Sequence, residues 1–204
     1  DPLFAGLRDN VAPLIKAVVE SGKHPNMAFV EDNKWSQAGQ EALSQAVSEA
    51  IGFDFQAGRR DASTHPFCGG PNPDDVRWTT RYSDDEPFGS LYGSMHETGH
   101  GTYEQGRPRE LDFQPAGKAA GLGVHESQSR LWENQVGRSR EFCEWVLPIW
   151  QENFPEQMTG VSVDDLWRAA NLVGPSLVRT ESDEATYNLH IMIRYEIEKR
   201  LISG

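Results

Sequence analysis

The 204-residue chain carries 31 acidic and 19 basic side chains, a formal net charge of −12; so acidic a surface argues against a nucleic-acid partner, whose phosphates it would repel. Six Trp, nine Phe and five Tyr supply the bulk for a folded core and argue against disorder, although mean hydropathy is only −0.61. No run approaches the ~20 apolar residues of a membrane span, and Cys68 and Cys143, far apart in sequence, make no disulfide framework and fit a reducing compartment.

Residues 3–20 predict an amphipathic helix, because Phe4, Leu7, Val11, Leu14, Ile15 and Val18 follow the i, i+3, i+4 spacing. Pro13 lies inside it and is expected to kink the helix or reset its start. A second helix is predicted over 36–51, with Ser36 as N-cap and Gly52 as its stop. Phe53 to Phe55 and Val76 to Tyr82 alternate like strands. Gly58, Pro66, Gly69, Gly70, Pro71 and Pro73 make the stretch between them read as loop. The expectation is a small β element over about 53–82, of two or three strands, inserted into a helical protein. Helical periodicity returns at Leu91 and recurs over 91–105, 121–137, 139–153, 163–173 and 183–202. Ser162 or Asp164 can cap the fourth of these and Ser182 or Asp183 the last. Leu189, Ile193, Ile197 and Leu201 line one face of the last helix. The run from Trp145 to Trp150 reads as core. The fold class is mainly α with a minor sheet. Both chain ends, Asp1-Pro2 and Ser203-Gly204, read as cut.

Within the first of the later helices stands His96-Glu97-Thr98-Gly99-His100. On an α-helix, i and i+4 lie one turn apart on one face, so both imidazoles can reach one ion at about 2.0–2.1 Å. Glu97 then sits beside the ion as the base for a metal-activated water, which is the logic of the H-E-x-x-H metalloprotease helix. Gly99 would let another element approach closely. A catalytic zinc needs a third protein ligand and an open position. The metzincin pattern requires Gly at 103 and His at 106, where the chain has Tyr103 and Gly106. A gluzincin takes a Glu from a following helix, and His125-Glu126-Ser127 offers one, 26 positions after His100. Glu126 is the expected third ligand and His125 the competing choice. Glu104 is placed to orient a ligating histidine from behind, or to sit on the surface.

These residues do not stand alone. His65-Pro66-Phe67, Asp75-Val76-Arg77-Trp78-Thr79, the H-E-x-x-H helix, His125-Glu126-Ser127-Gln128 and Val178-Arg179-Thr180-Glu181-Ser182-Asp183 occur in this order. Together they resemble the ordered signatures of the M32 metallocarboxypeptidases, over the stretch from about Asp54 to Gly204. The fifth departs from the family pattern at Val178 and Ser182 while keeping Arg179 and Asp183. The resemblance implies the helical gluzincin architecture of neurolysin and angiotensin-converting enzyme, with a deep groove. It implies one zinc ion, with cobalt as a frequent substitute, and removal of C-terminal residues from peptides in a cytoplasmic homodimer. Family members run to roughly 500 residues, and their last signature, G-x-x-Q-D-x-H-W, is absent here. Residues 1–204 are therefore expected to form a single catalytic core, a fragment of such an enzyme. An exopeptidase must also recognise a free carboxylate, which arginine does best through its bidentate fork. Arg179 and Arg77 are the candidates, and His65, before Pro66, either lines the groove or fixes the turn. Two competing expectations remain: another gluzincin peptidase, acting as an endo- or aminopeptidase, and a metal-stabilised helical domain without catalysis.

Overall fold

The computed structural model describes residues 2–204, apart from the side chain of Glu181. Two units share the chain: Met27–Trp167, and a second built from the residues up to Asn26 together with Arg168–Gly204.

Local signals set the helix ends of the first unit. After a single turn, α2 (Ala28–Glu31), comes α3 (Gln37–Ile51), whose N-cap Ser36 accepts from the Gly39 N–H. It stops where Gly52 takes φ 105°, a left-handed conformation that glycine adopts without a Cβ clash. Three strands follow: β1 (Gly58–Ala62), β2 (Phe67–Asn72) and β3 (Asp75–Thr80). β3 is central, parallel to β1 and antiparallel to β2, so that Trp78 stands opposite Arg60 on one side and Cys68 on the other. Along β3, Val76 and Trp78 are buried while Arg77 between them is exposed. Phe53 packs against this pair, with Phe55 and Cys68 around it.

The β element thus differs in detail from the expected one. Phe53 to Phe55 form no strand. The Asp54 side chain accepts from the Gln56 N–H at 2.8 Å and its carbonyl from Ala57 at 3.1 Å, a local turn that competes with strand pairing. The supposed loop contains β2, an edge strand on which Pro71 is tolerated.

The later α-helices lying wholly in this unit are α4 (Pro87–Gln105), α5 (Leu122–Arg130) continued by a π-helical turn at Leu131–Val136, and α6 (Arg140–Asn153). Helix α4 packs against α3, α5, β2, β3 and the π turn. Most of its length is buried, polar Ser90, Ser94, Glu97 and Thr98 included, while Gly93, His96 and His100 on one side stay half-buried. Its seam with α3 is a ladder of buried polar pairs: Gln40 with Ser90 at 2.7 Å, Ser44 with Ser94 at 3.1 Å, and Ser48 with Thr98 at 2.8 Å. The partners are 50 positions apart in every rung, so the two helices run parallel and in register. Trp35, Trp150 and Phe154 pack edge-on and tilted into a further buried cluster. Cys68 and Cys143 are free thiols, and burial pushes Cys143 up to about 11.

In the second unit, α1 (Pro2–Glu20) runs without a break through Pro13. Helix α8 (Glu184–Ser203) starts on Asp183, whose carboxylate accepts from the Ala185 and Thr186 N–H groups. On the apolar face of α8, Ile193, Ile197 and Leu201 are exposed, while Met192 is buried. Helix α7 (Val163–Ala170) spans the division between the units. Its start is closed by Ser162, which exchanges hydrogen bonds with Asp165. Among the described residues, no helix is long and apolar enough to cross a membrane.

Candidate metal centre

Helix α4 carries His96 and His100 one turn apart, and α5 crosses behind the residue between them. A Cβ on Gly99 would lie 2.6 Å from the Gln128 carbonyl oxygen and 2.7 Å from the Ser129 Cα. Only glycine permits that approach, and the approach brings Glu126 to the histidines. Glu126 Oε2 stands 3.6 Å from His96 Nε2 and 3.3 Å from His100 Nε2. Among the described residues, these three side chains form the group whose donor atoms lie close enough to share an ion, all within 4.8 Å of one another.

The donor set fits a tetrahedral metal. Two atoms bound at about 2.0–2.1 Å at tetrahedral angles are separated by about 3.3–3.4 Å, close to the two separations between Glu126 and the histidines. The far sides of the ligands are engaged elsewhere, and Glu126 Oε2, on the near side, also accepts from Ser129 Oγ at 3.1 Å. His96 Nδ1 is 2.7 Å from Glu133 Oε2. His100 Nδ1 is 2.5 Å from His125 Nδ1. Glu126 Oε1 accepts from Arg130 Nε at 3.0 Å, and the same arginine donates through Nη1 to Glu133 Oε2 at 2.9 Å. Arg130 thereby ties the carboxylate that faces the histidines to the carboxylate that orients one of them. Glu133 lies on the π turn, an irregularity often found at functional sites.

Electrostatics separate the two acids of the centre. Burial raises the Glu97 carboxyl to about 7; His100 draws it down, while the negative charges of Glu126 and Glu133 add to the rise. For Glu126, burial also acts upward, but the His100 contact and the charges of His96 and Arg130 outweigh it and hold the group at about 2. One carboxylate is therefore fixed as an anion that can serve a cation. The other, 6% exposed, exchanges a proton near neutrality.

Of the residues singled out from sequence, His96, His100 and Glu126 come together with Glu97 beside them. His125 stands behind His100 and outside the trio. Glu104 stands behind His125, its Oε1 2.7 Å from His125 Nε2. Arg77 is exposed and forks onto Asp75 on its own strand, with both contacts at 2.8 Å. His65 is exposed in a bend, its carbonyl accepting from Ser63 Oγ at 2.6 Å. Among the described residues, no hydrogen bond or ion pair joins Arg77 or His65 to the histidine cluster. Arg179, in the other unit, donates to the Tyr187 hydroxyl and lies 5.2 Å from the centre of that ring. Arg130 and Glu133 were not singled out beforehand. Their positions, four and seven after Glu126, place them on its helix face, the one signal that marks them.

A buried H-E-x-x-H helix with a carboxylate from the next helix defines the metallopeptidase class of site. The chain belongs to the carboxypeptidase Taq (M32) metallopeptidase family, whose family model matches residues 1–204. It is 44% identical over 203 residues to thermostable carboxypeptidase 1 of Thermus thermophilus, covering 100% of this chain and 39% of that protein. It is 41% identical over 204 residues to carboxypeptidase 1 of Bacillus subtilis, covering 100% of this chain and 40% of the relative. The crystal structure of an M32 carboxypeptidase from Deinococcus radiodurans superposes with a TM-score of 0.94 at 43% identity, over 98% of this chain and 40% of that one. The helical M32 architecture is thus shared, and the chain spans about 40% of the length of these relatives.

Proposed function

We propose that the chain carries the catalytic centre of a zinc-dependent carboxypeptidase, which hydrolyses the C-terminal bond of peptides. The convergence of His96 Nε2, His100 Nε2 and Glu126 Oε2 beside Glu97 carries the reading. Family membership and the carboxypeptidase names of the relatives support it. Two neutral imidazoles and one carboxylate match zinc better than magnesium or calcium, which prefer oxygen ligands; cobalt is the expected substitute. When bound, the ion supplies Lewis acidity, polarising the scissile carbonyl and acidifying water. Glu97 accepts the proton of the attacking water and returns it to the leaving amine, a role suited to a carboxyl held near 7. Glu133 and Arg130 hold His96 and Glu126 in position throughout.

Arg179 is the proposed anchor for the substrate carboxylate. Arg77 is the second candidate, and a substrate would have to replace Asp75 in its fork. His65 completes the proposed substrate side. The 204 residues are read as the catalytic core of an enzyme of the relatives' length. A cytoplasmic setting and a homodimer belong to the same reading, supported by the family resemblance.

The test is a C-terminal ladder assay on the intact protein, with metal analysis. Peptides with a free C-terminus should lose residues one at a time, amidated peptides should resist, and one zinc should bind per chain. Equal cleavage of amidated peptides, or zinc binding unchanged by His96→Ala, would overturn the reading.

A further inference from the structure

Each ligating histidine must offer the lone pair of Nε2 to the ion, so each must carry its proton on Nδ1. What enforces this differs between the two. His96 Nδ1 faces the Glu133 carboxylate directly, an acceptor-only partner. His100 Nδ1 faces another imidazole nitrogen, His125 Nδ1, at 2.5 Å. Only one hydrogen fits between two such nitrogens, and either could own it.

The next contact decides the owner. His125 Nε2 lies 2.7 Å from Glu104 Oε1. A carboxylate only accepts, so His125 must carry its proton on Nε2 to satisfy it. In a neutral His125 ring the Nδ1 is then a bare lone pair, and the shared hydrogen belongs to His100 Nδ1. His100 Nε2 is left with its lone pair, 3.3 Å from Glu126 Oε2. The opposite order would set a bare Nε2 of His125 against a carboxylate oxygen at 2.7 Å, lone pair against lone pair. Arg107 holds the far end: its Nε is 2.7 Å from Glu104 Oε2, an ion pair lying off the N–H direction. His125, Glu104 and Arg107 expose 17%, 16% and 14% of their side chains, so water cannot readily replace a missing member.

We infer that His125 and Glu104 are positioning residues, a relay that sets the tautomer of His100 and aims its Nε2 at the metal. The inference rests on the proposed metal centre and extends it. It gives the two consecutive residues His125 and Glu126 separate duties at one ion: Glu126 binds it, and His125 prepares the ligand opposite.

The experiment measures zinc affinity of the intact protein by competition with a chromophoric chelator, together with the ligand-field spectrum of the Co(II) form. His125→Phe keeps a ring but offers no acceptor, and should weaken zinc binding about ten- to hundredfold, the usual effect of losing such a partner. His125→Gln should bind zinc within a fewfold of wild type, because its amide oxygen accepts from His100 and its amide nitrogen donates to Glu104. Glu104→Leu removes the terminus of the relay without touching His100 and should weaken binding about tenfold; it serves also if His125→Phe fails to fold. The Co(II) spectrum should change in His125→Phe and Glu104→Leu and remain wild-type in His125→Gln. Wild-type affinity in His125→Phe or Glu104→Leu, or a His125→Gln variant as weak as His125→Phe, would overturn the relay. His96→Ala separates the two levels of argument. If it abolishes zinc binding while Glu104→Leu has no effect, only the relay falls; if it too binds like wild type, the metal centre falls and the relay with it.

Discussion

Gly99→Ala is the smallest change that should disable this centre. The new Cβ would stand 2.6 Å from the Gln128 carbonyl oxygen and 2.7 Å from the Ser129 Cα, where ordinary contact begins at 3.4 Å. The shortfall is about 0.8 Å against a 3.4 Å contact, and the obstruction is backbone that cannot rotate aside. Helices α4 and α5 must therefore part by a comparable distance. A metal ligand tolerates errors of about 0.2 Å, so Glu126 would be carried several tolerances away from the two histidines. Overpacking of this kind costs about 1–3 kcal/mol, offset by up to about 1 kcal/mol because alanine favours helix over glycine. A net loss of about 1–2 kcal/mol lowers Tm by a few degrees in a chain of this size.

The control lies on the same helix. A Cβ on Gly93 would meet only Thr80 Oγ1, at 3.4 Å, so Gly93→Ala should be neutral or stabilising by up to about 1 kcal/mol. Thermal melts with and without zinc, plus chelator competition, check both variants. Wild-type and Gly93→Ala proteins should melt higher with zinc, and Gly99→Ala should gain little. A Gly99→Ala protein with wild-type zinc affinity would refute the claim that backbone contact at this position sets the ligand spacing.

Other outcomes follow from individual contacts. Glu97→Gln should retain zinc and lose about 10²- to 10⁴-fold in kcat/KM on free-ended peptides; near-normal turnover would remove Glu97 from the chemistry. The metal-free protein should also show a pH effect at Glu97. Its folded pKa of about 7 exceeds the ordinary 4.5, so its contribution is fully present below pH 4.5 and is lost as pH rises through 7. That amounts to about 3 kcal/mol at about 1.4 kcal/mol per unit. Urea melts at pH 5 and pH 8 should differ by that order in wild type and much less in Glu97→Gln. The anionic Glu126 has the opposite sign, its contribution being lost as pH falls from 4.5 through about 2. Gln40→Leu should cost about 2–4 kcal/mol in urea unfolding, since it strips buried donors from the Trp35 and Ser83 carbonyls; a loss under 1 kcal/mol would count against the ladder.

What could be read in advance divides along physical lines. The ends of α3 are set by Ser36 and Gly52, whose effects act within one turn, so sequence suffices. The H-E-x-x-H spacing is likewise a property of one helix. Phe53 and Phe55 imitate a strand because two aromatics flanking a polar residue alternate, yet Asp54 closes a turn on its own backbone. β2 looks like loop because Gly69, Gly70 and Pro71 are turn formers. At Gly70 a Cβ would lie 2.1 Å from the Asp75 carbonyl oxygen, so glycine there records close packing against β3, which no local pattern reveals. The stripe of Ile193, Ile197 and Leu201 is real, but periodicity states only that a stripe exists and not what lies over it. Arg130 and Glu133 look like ordinary helix charges until α4 is seen opposite.

The two seams of α4 do different work for the centre. Along α3 the rungs recur every four residues on both helices, so a slip of one position breaks all three together. That seam fixes where α4 sits along its axis. Along α5 a glycine meets backbone, a contact without direction that sets distance alone. The ligating atoms need both constraints at once, because His96 and His100 lie on one helix and Glu126 on the other. An error of register would swing the imidazoles away from Glu126, and an error of separation would open the gap between them. The side of α4 left partly open is the one that carries His96 and His100. The apolar pattern of α4 is blurred because Ser90, Ser94, Glu97 and Thr98 are buried along with its apolar residues.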